Sequence, residues 1–181
     1  MSPEKQKRKL AAIFCIDAAG YSRLMGQDEM GTLAALKAHF QAMDSRIGEH
    51  WGRVVATHGD SLLAEFGSVV DAVRCAVEIQ KEIKARNEDV KEASRMLFRI
   101  GINLGDVIEE EGNIFGDGVN VAARLEALAD PGGICISRSA YEQVKNKLNV
   151  GYQSLGSHSV KNIAEPVPVY RVVPEPDALG K

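Results

Sequence analysis

The sequence predicts an α+β fold, a sandwich of sheet and helices rather than a doubly wound parallel sheet. Three observations point there. Helical and strand-like patterns are mixed along the chain, one neighbouring pair of strand patterns is joined as a hairpin, and two apolar runs are continuous enough for strands buried on both faces.

The first such run is Leu10 to Ile16, which ends at Asp17. Ala18, Ala19 and Gly20 make a small-residue turn into Tyr21-Ser22-Arg23-Leu24-Met25. A helical pattern follows from Glu29 to His50, with Leu33, Leu36, Phe40 and Met43 on one face and Gly52 as its closing residue. Arg53 to Ala56 and Ser61 to Phe66 read as short strands around Thr57-His58-Gly59-Asp60, a hairpin that exposes Asp60 at its bend. Val69 to Arg86 is helical by the spacing of Val70, Val73, Ala76, Val77, Ile79 and Ile83, and Asn87 to Arg95 is a polar surface loop.

Leu97 to Leu104 is the second apolar strand, carried onward by Gly105 to Ile108. Gly112 to Gly118 is a glycine-containing loop opening a helix from Val119 to Ala129, which Asp130-Pro131-Gly132-Gly133 stops. Ile134 to Ser137 is a short strand, Arg138 to Leu148 a helix, and Tyr152 to Leu155 and Val167 to Val173 are closing strands. The organisation is therefore a basic lead-in over residues 1–8, one domain over 9–173 and a tail or linker over 174–181. No internal repeat or low-complexity segment interrupts it.

Composition narrows the function classes. With 45% hydrophobic and 26% charged residues, the chain has the make-up of an ordinary globular domain. Its net charge of -3 gives no general attraction for nucleic acid, so a polyanionic partner must be met by a local site. Cys15, Cys75 and Cys135 are odd in number, far apart and set in apolar surroundings, which argues against a disulfide framework or a zinc site. No apolar run approaches the roughly 20 residues that span a bilayer, and a cytoplasmic location is expected.

Asp17 follows a buried strand and precedes a helix start, a place where a carboxylate lies beside free backbone N–H groups. Asp60 can supply a second carboxylate, and hard cations such as Mg²⁺ take oxygen ligands from one or two carboxylates plus substrate phosphates. Taken singly, Asp17 can equally be a helix cap and Asp60 a turn residue. Asn120 and Arg124 lie four apart on one helical face, where an amide can hydrogen-bond a ribose and a guanidinium can neutralise a phosphoryl group in transfer. An exposed Asn and a solvated Arg fit the same pattern.

With these three elements in order, the chain resembles the class III nucleotidyl cyclases, the adenylyl and guanylyl cyclase family, from Lys9 to Val173. Phe14 to Ser22 looks like the family's first metal motif, His58 to Ala64 like its second, and Gly116 to Leu125 like its Asn-x-x-x-Arg helix. Leu155 to Tyr170 is similar to the way bacterial members end. The resemblance implies a ferredoxin-like fold with a mixed, mainly antiparallel sheet flanked by helices. It implies a homodimer with two interfacial sites, each using Asp17 and Asp60 of one chain and Asn120 and Arg124 of the other.

By the same resemblance each site holds two Mg²⁺ or Mn²⁺ ions, with the Ala18 carbonyl joining the metal shell. Backbone N–H groups from Ala18 through Ala19, Gly20, Tyr21 and Ser22 would cradle the β- and γ-phosphates, and Lys161 is a candidate phosphate contact. The implied reaction is ATP to 3′,5′-cyclic AMP and pyrophosphate, with GTP to cyclic GMP as the near alternative and a degenerate nucleotide-binding domain as another. A regulatory domain on a longer polypeptide is a further implication. The Gly-Gly-acidic signature of diguanylate cyclases is absent.

The purine positions depart from the pattern. Four residues before Asp60 stands Ala56, where lysine is expected for adenine and glutamate for guanine, and seven before Asn120 stands Asn113 instead of aspartate. Alanine offers no hydrogen bond and asparagine can both donate and accept, so the base is left unassigned.

Overall fold

The computed structural model describes residues 7–174. The elements are β1 Lys7–Ala19, α1 Tyr21–Gln27, α2 Glu29–Glu49, β2 Gly52–His58, β3 Ser61–Phe66, α3 Val69–Asn87, β4 Leu97–Glu110 and β5 Asn113–Phe115. There follow α4 Asp117–Leu128, β6 Ile134–Ser137, α5 Arg138–Val144, β7 Gly151–His158 and β8 Val167–Val173. The eight strands form one sheet ordered β2-β3-β1-β4-β6-β8-β7, with β5 added to β4. All pairings are antiparallel except β4 with β6, where Ile100 lies opposite Ile134. This is the mixed, mainly antiparallel α+β sheet that the sequence implies.

The two apolar runs are β1 and β4, neighbours at the sheet centre, and the alternation along β1 shows why both its faces are apolar. Phe14, Ile16 and Ala18 join the large core beneath α2 and α3. Ala11 and Ile13 join a smaller cluster with Val107, Ile114 and Ala122, beneath α4. Asp17, in step with Ile13 and Cys15, faces the α4 side.

Several boundaries differ from the sequence reading, each for a local reason. β1 does not stop at Asp17: Ala18 and Ala19 stay in register opposite Phe98 and Leu97, and the strand ends at Gly20. At its start Lys7 and Arg8 already pair with Glu109 and Ile108. The rest of the expected lead-in, residues 1–6, and all of the expected tail beyond Pro174 lie outside the described residues.

Gly52 does not close α2. The chain leaves the helix through Trp51, which takes φ 63°, while Gly52 opens β2 where an added Cβ would lie 2.5 Å from the Phe66 ring. The buried face of α2 is Thr32, Leu36, His39, Met43 and Ile47, and Leu33 stays 41% exposed. The loop expected over 112–118 holds the short strand β5, which pairs Asn113 with Glu110. The loop expected over 87–95 contains a 3₁₀ turn at Glu92–Ser94. α5 ends at Val144, short of Leu148, and β7 runs on to His158.

Among the described residues, no helix is long and apolar enough to cross a membrane.

Candidate active site

The register of the central strands places the two candidate metal carboxylates at one end of the sheet. Asp17 on β1 lies opposite Ser61 of β3, and Asp60 immediately precedes Ser61 in the β2–β3 turn. Asp60 is half-buried rather than fully exposed.

On its other side Asp17 faces Arg99 of β4. Arg99 Nε donates to Asp17 Oδ1 at 3.0 Å and Nη2 donates to Oδ2 at 2.7 Å, a two-pronged ion pair. A third acid, Glu126 of α4, stands against the pair. Burial, then the hydrogen bond and charge of Asp17, push its pKa up to about 8, with Arg99 opposing. Its place beside Asp17 thus disfavours the charged form of Glu126.

Neither Arg99 nor Glu126 was singled out from the sequence, although a signal existed for each. Arg99 breaks an otherwise apolar run, and Glu126 falls four residues after buried Ala122, on the inward stripe of α4.

The donor set fits a hard divalent cation: carboxylate oxygens of Asp17 and Asp60 at adjacent strand ends, with the acid Glu126 close enough to feel both charges. Among the described residues, no group of three or more His, Cys, Asp or Glu is arranged to hold a metal unaided. The remaining ligands would be the Ala18 carbonyl and substrate phosphates. Of the proposed phosphate cradle, Ala18 and Ala19 lie in the strand, Gly20 has φ 66° and no side chain caps α1. The first-turn N–H groups, those of Tyr21 and Ser22, have no intrahelical acceptor.

The Asn120 and Arg124 side belongs to α4, which is set directly on the sheet. An added Cβ at Gly101 would lie 2.5 Å from the Ala122 carbonyl oxygen and 2.8 Å from Glu126 Cα. One at Gly118 would lie 2.7 Å from the Asp106 carbonyl oxygen. Two glycines thus let helix and sheet touch backbone to backbone, with the Asn103 amide donating to the Gly118 carbonyl at 3.0 Å. Asn120 and Arg124, both exposed, line a cleft of about 350 Å³ together with Lys161 and Asn162. Lys161, the candidate phosphate contact, is brought beside the Asn and Arg pair; Asp17 and Asp60 do not line this cleft.

Ala56 and Asn113 meet in a separate cavity of about 290 Å³, lined also by Cys15, His58, Phe115 and Glu126. The Asn113 side-chain oxygen accepts the Ile114 N–H at 2.8 Å, so the group it offers a ligand is chiefly its amide donor.

Comparison with known proteins gives a consistent result. A sequence model described as the adenylate and guanylate cyclase catalytic domain matches residues 3–172. A Rhizobium meliloti strain 1021 protein named "Putative adenylate cyclase 3" is 46% identical over 176 residues, which is 97% of this chain and 30% of that protein. The crystal structure of an adenylate/guanylate cyclase/hydrolase from Silicibacter pomeroyi is 43% identical with TM-score 0.88, covering 94% of this chain and 99% of that one. The adenylyl cyclase CyaB from P. aeruginosa, 24% identical with TM-score 0.82 over 93% of this chain and 95% of that one, shares the fold.

Proposed function

This chain belongs to the adenylate and guanylate cyclase catalytic domain family, and from that premise we propose that it converts ATP to 3′,5′-cyclic AMP and pyrophosphate at sites shared between two copies of itself. The observation that carries the proposal is the division of the site residues. Asp17 and Asp60 sit together at one sheet end, while Asn120, Arg124 and Lys161 line a cleft that contains neither aspartate. A second chain related by two-fold symmetry can bring one half to the other, and does so twice.

Two Mg²⁺ or Mn²⁺ ions bound through Asp17, Asp60 and the Ala18 carbonyl would neutralise phosphate charge and acidify the ribose 3′-hydroxyl. Asn120 of the opposite copy orients the ribose so that O3′ lies in line with the α-phosphorus. Arg124 meets the negative charge that accumulates as the O3′–P bond forms and the bond to pyrophosphate breaks. The segment Ala19-Gly20-Tyr21-Ser22 and Lys161 receive the β- and γ-phosphates as they leave. Arg99, held against Asp17 by two hydrogen bonds, aligns that carboxylate.

Ala56 and Asn113 form the base pocket, and the missing hydrogen-bonding group at Ala56 favours relaxed purine selectivity, with GTP as a second substrate. The same alanine supports the alternative of a nucleotide-binding module without turnover. The chain spans less than a third of the length of the relative it matches at 46% identity, which fits a catalytic module working under regulatory segments of a longer polypeptide.

Incubation with Mn²⁺ and either ATP or GTP tests the reading. Cyclic AMP is the expected main product. Cyclic GMP alone would move the assignment to a guanylate cyclase, and no product from either nucleotide would sink the enzyme.

A further inference from the structure

A cavity of about 540 Å³ opens on the α3 side of the sheet, the face opposite Asp17. It lies between the C-terminal half of α3, the start of β4, the turn at Gly132 and the end of β8. Its volume is that of a small-molecule site, for which about 300–1,000 Å³ is usual.

Three features describe the site. Val77, Ile83, Leu97 and Val173 give it an apolar lining, and Leu97 is 37% exposed. Lys81, Lys84 and Arg95 stand around this lining against one acid, Glu88. Of the acids on α3, Glu78 and Glu82 are committed to Arg46, His50 and Arg86, and Asp71 lies in the first turn, outside the cavity lining.

The third feature is Gln80, in the wall and only 8% exposed. Its Nε2 donates at 3.0 Å to the carbonyls of both Phe98 and Gly133. Two carbonyl partners require the nitrogen on that side, which fixes the amide's orientation. Its Oε1 is left buried with no hydrogen-bond partner. The amide is thereby a fixed group in the cavity wall.

We propose that this cavity binds a small amphipathic anion: a carboxylate carrying an apolar acyl body. The body covers Val77, Ile83 and Leu97, and the head meets Lys81, Lys84 and Arg95.

The test is titration of N-octanoylglycine into the 181-residue chain without nucleotide or metal, followed by calorimetry and by NMR shifts. It is thereby independent of cyclase activity. Saturable binding of one molecule per chain is expected, with shifts centred on the Gln80 side-chain amide, Leu97 and Gly132.

The exposed double charge reversal Lys81→Glu, Lys84→Glu should weaken binding at least about tenfold. The uncharged methyl ester, which needs no altered protein, should weaken it equally. Absence of saturable binding, affinity indifferent to both changes, or shifts centred on the Asn120 cleft would overturn the proposal. So would binding confined to a chain cut after Pro174, since the cavity would then belong to the segment that follows.

Discussion

Replacing Gly101 by alanine tests whether the position of α4 on the sheet sets the reaction geometry. The new Cβ would sit 2.5 Å from the Ala122 carbonyl oxygen, where ordinary contact begins at 3.4 Å. Both obstacles named above are helix backbone, so α4 must retreat by about 1 Å, as overpacked cores do at a cost of about 1–3 kcal/mol. The retreat loosens Val121, Ala122 and Leu125 and carries Asn120 and Arg124 with it. Misplacing catalytic groups by about 1 Å costs on the order of 100-fold in rate. Urea unfolding should show the destabilisation, and cyclic nucleotide formation at saturating substrate should show the rate loss. Stability within about 0.5 kcal/mol of the parent together with unchanged turnover would refute the clamp.

Two further outcomes follow from individual side chains. Burial, with Arg86 nearby, holds the His39 pKa below its ordinary 6.5, against the opposing charge of Glu82. The unfolded chain therefore binds the extra proton first, and stability falls as pH drops below 6.5 towards the depressed folded value. Urea midpoints at neutral and mildly acid pH should converge for His39→Leu relative to the parent, whereas parallel profiles would contradict the assignment. Ala56→Lys adds a donor to the base pocket and should raise the ATP to GTP ratio of kcat/KM by about tenfold. An unchanged ratio in competition assays would place the base elsewhere.

The legibility of this molecule in its sequence varies with the range of the interaction. Central strands were readable because β1 and β4 are buried on both faces and so carry unbroken apolar runs. Asp60 was readable as a hairpin residue because the Gly59-Asp60 turn is local. The true end of β1 was not, since Ala18 and Ala19 are kept extended by pairing with Phe98 and Leu97, far along the chain. Trp51 shows the same limit: a glycine next door looked like the helix stop, yet Gly52 is needed for the Phe66 ring.

In the site, motif residues were visible as motifs, whereas Arg99 and Glu126 acquire meaning only where three elements converge on Asp17. Lys161 likewise joins Asn120 and Arg124 through the path of the chain after β7, which local patterning does not carry.

The central claim is that each catalytic site is divided between two chains. Mixing Asp17→Ala chains with Arg124→Ala chains, each inactive alone, measures it directly. In a freely exchanging equal mixture, half of the dimers are mixed, and each of those has one intact site. Recovery of about a quarter of parental cyclic nucleotide formation is the predicted result. A mixture that forms heterodimers and makes no product would contradict the shared site.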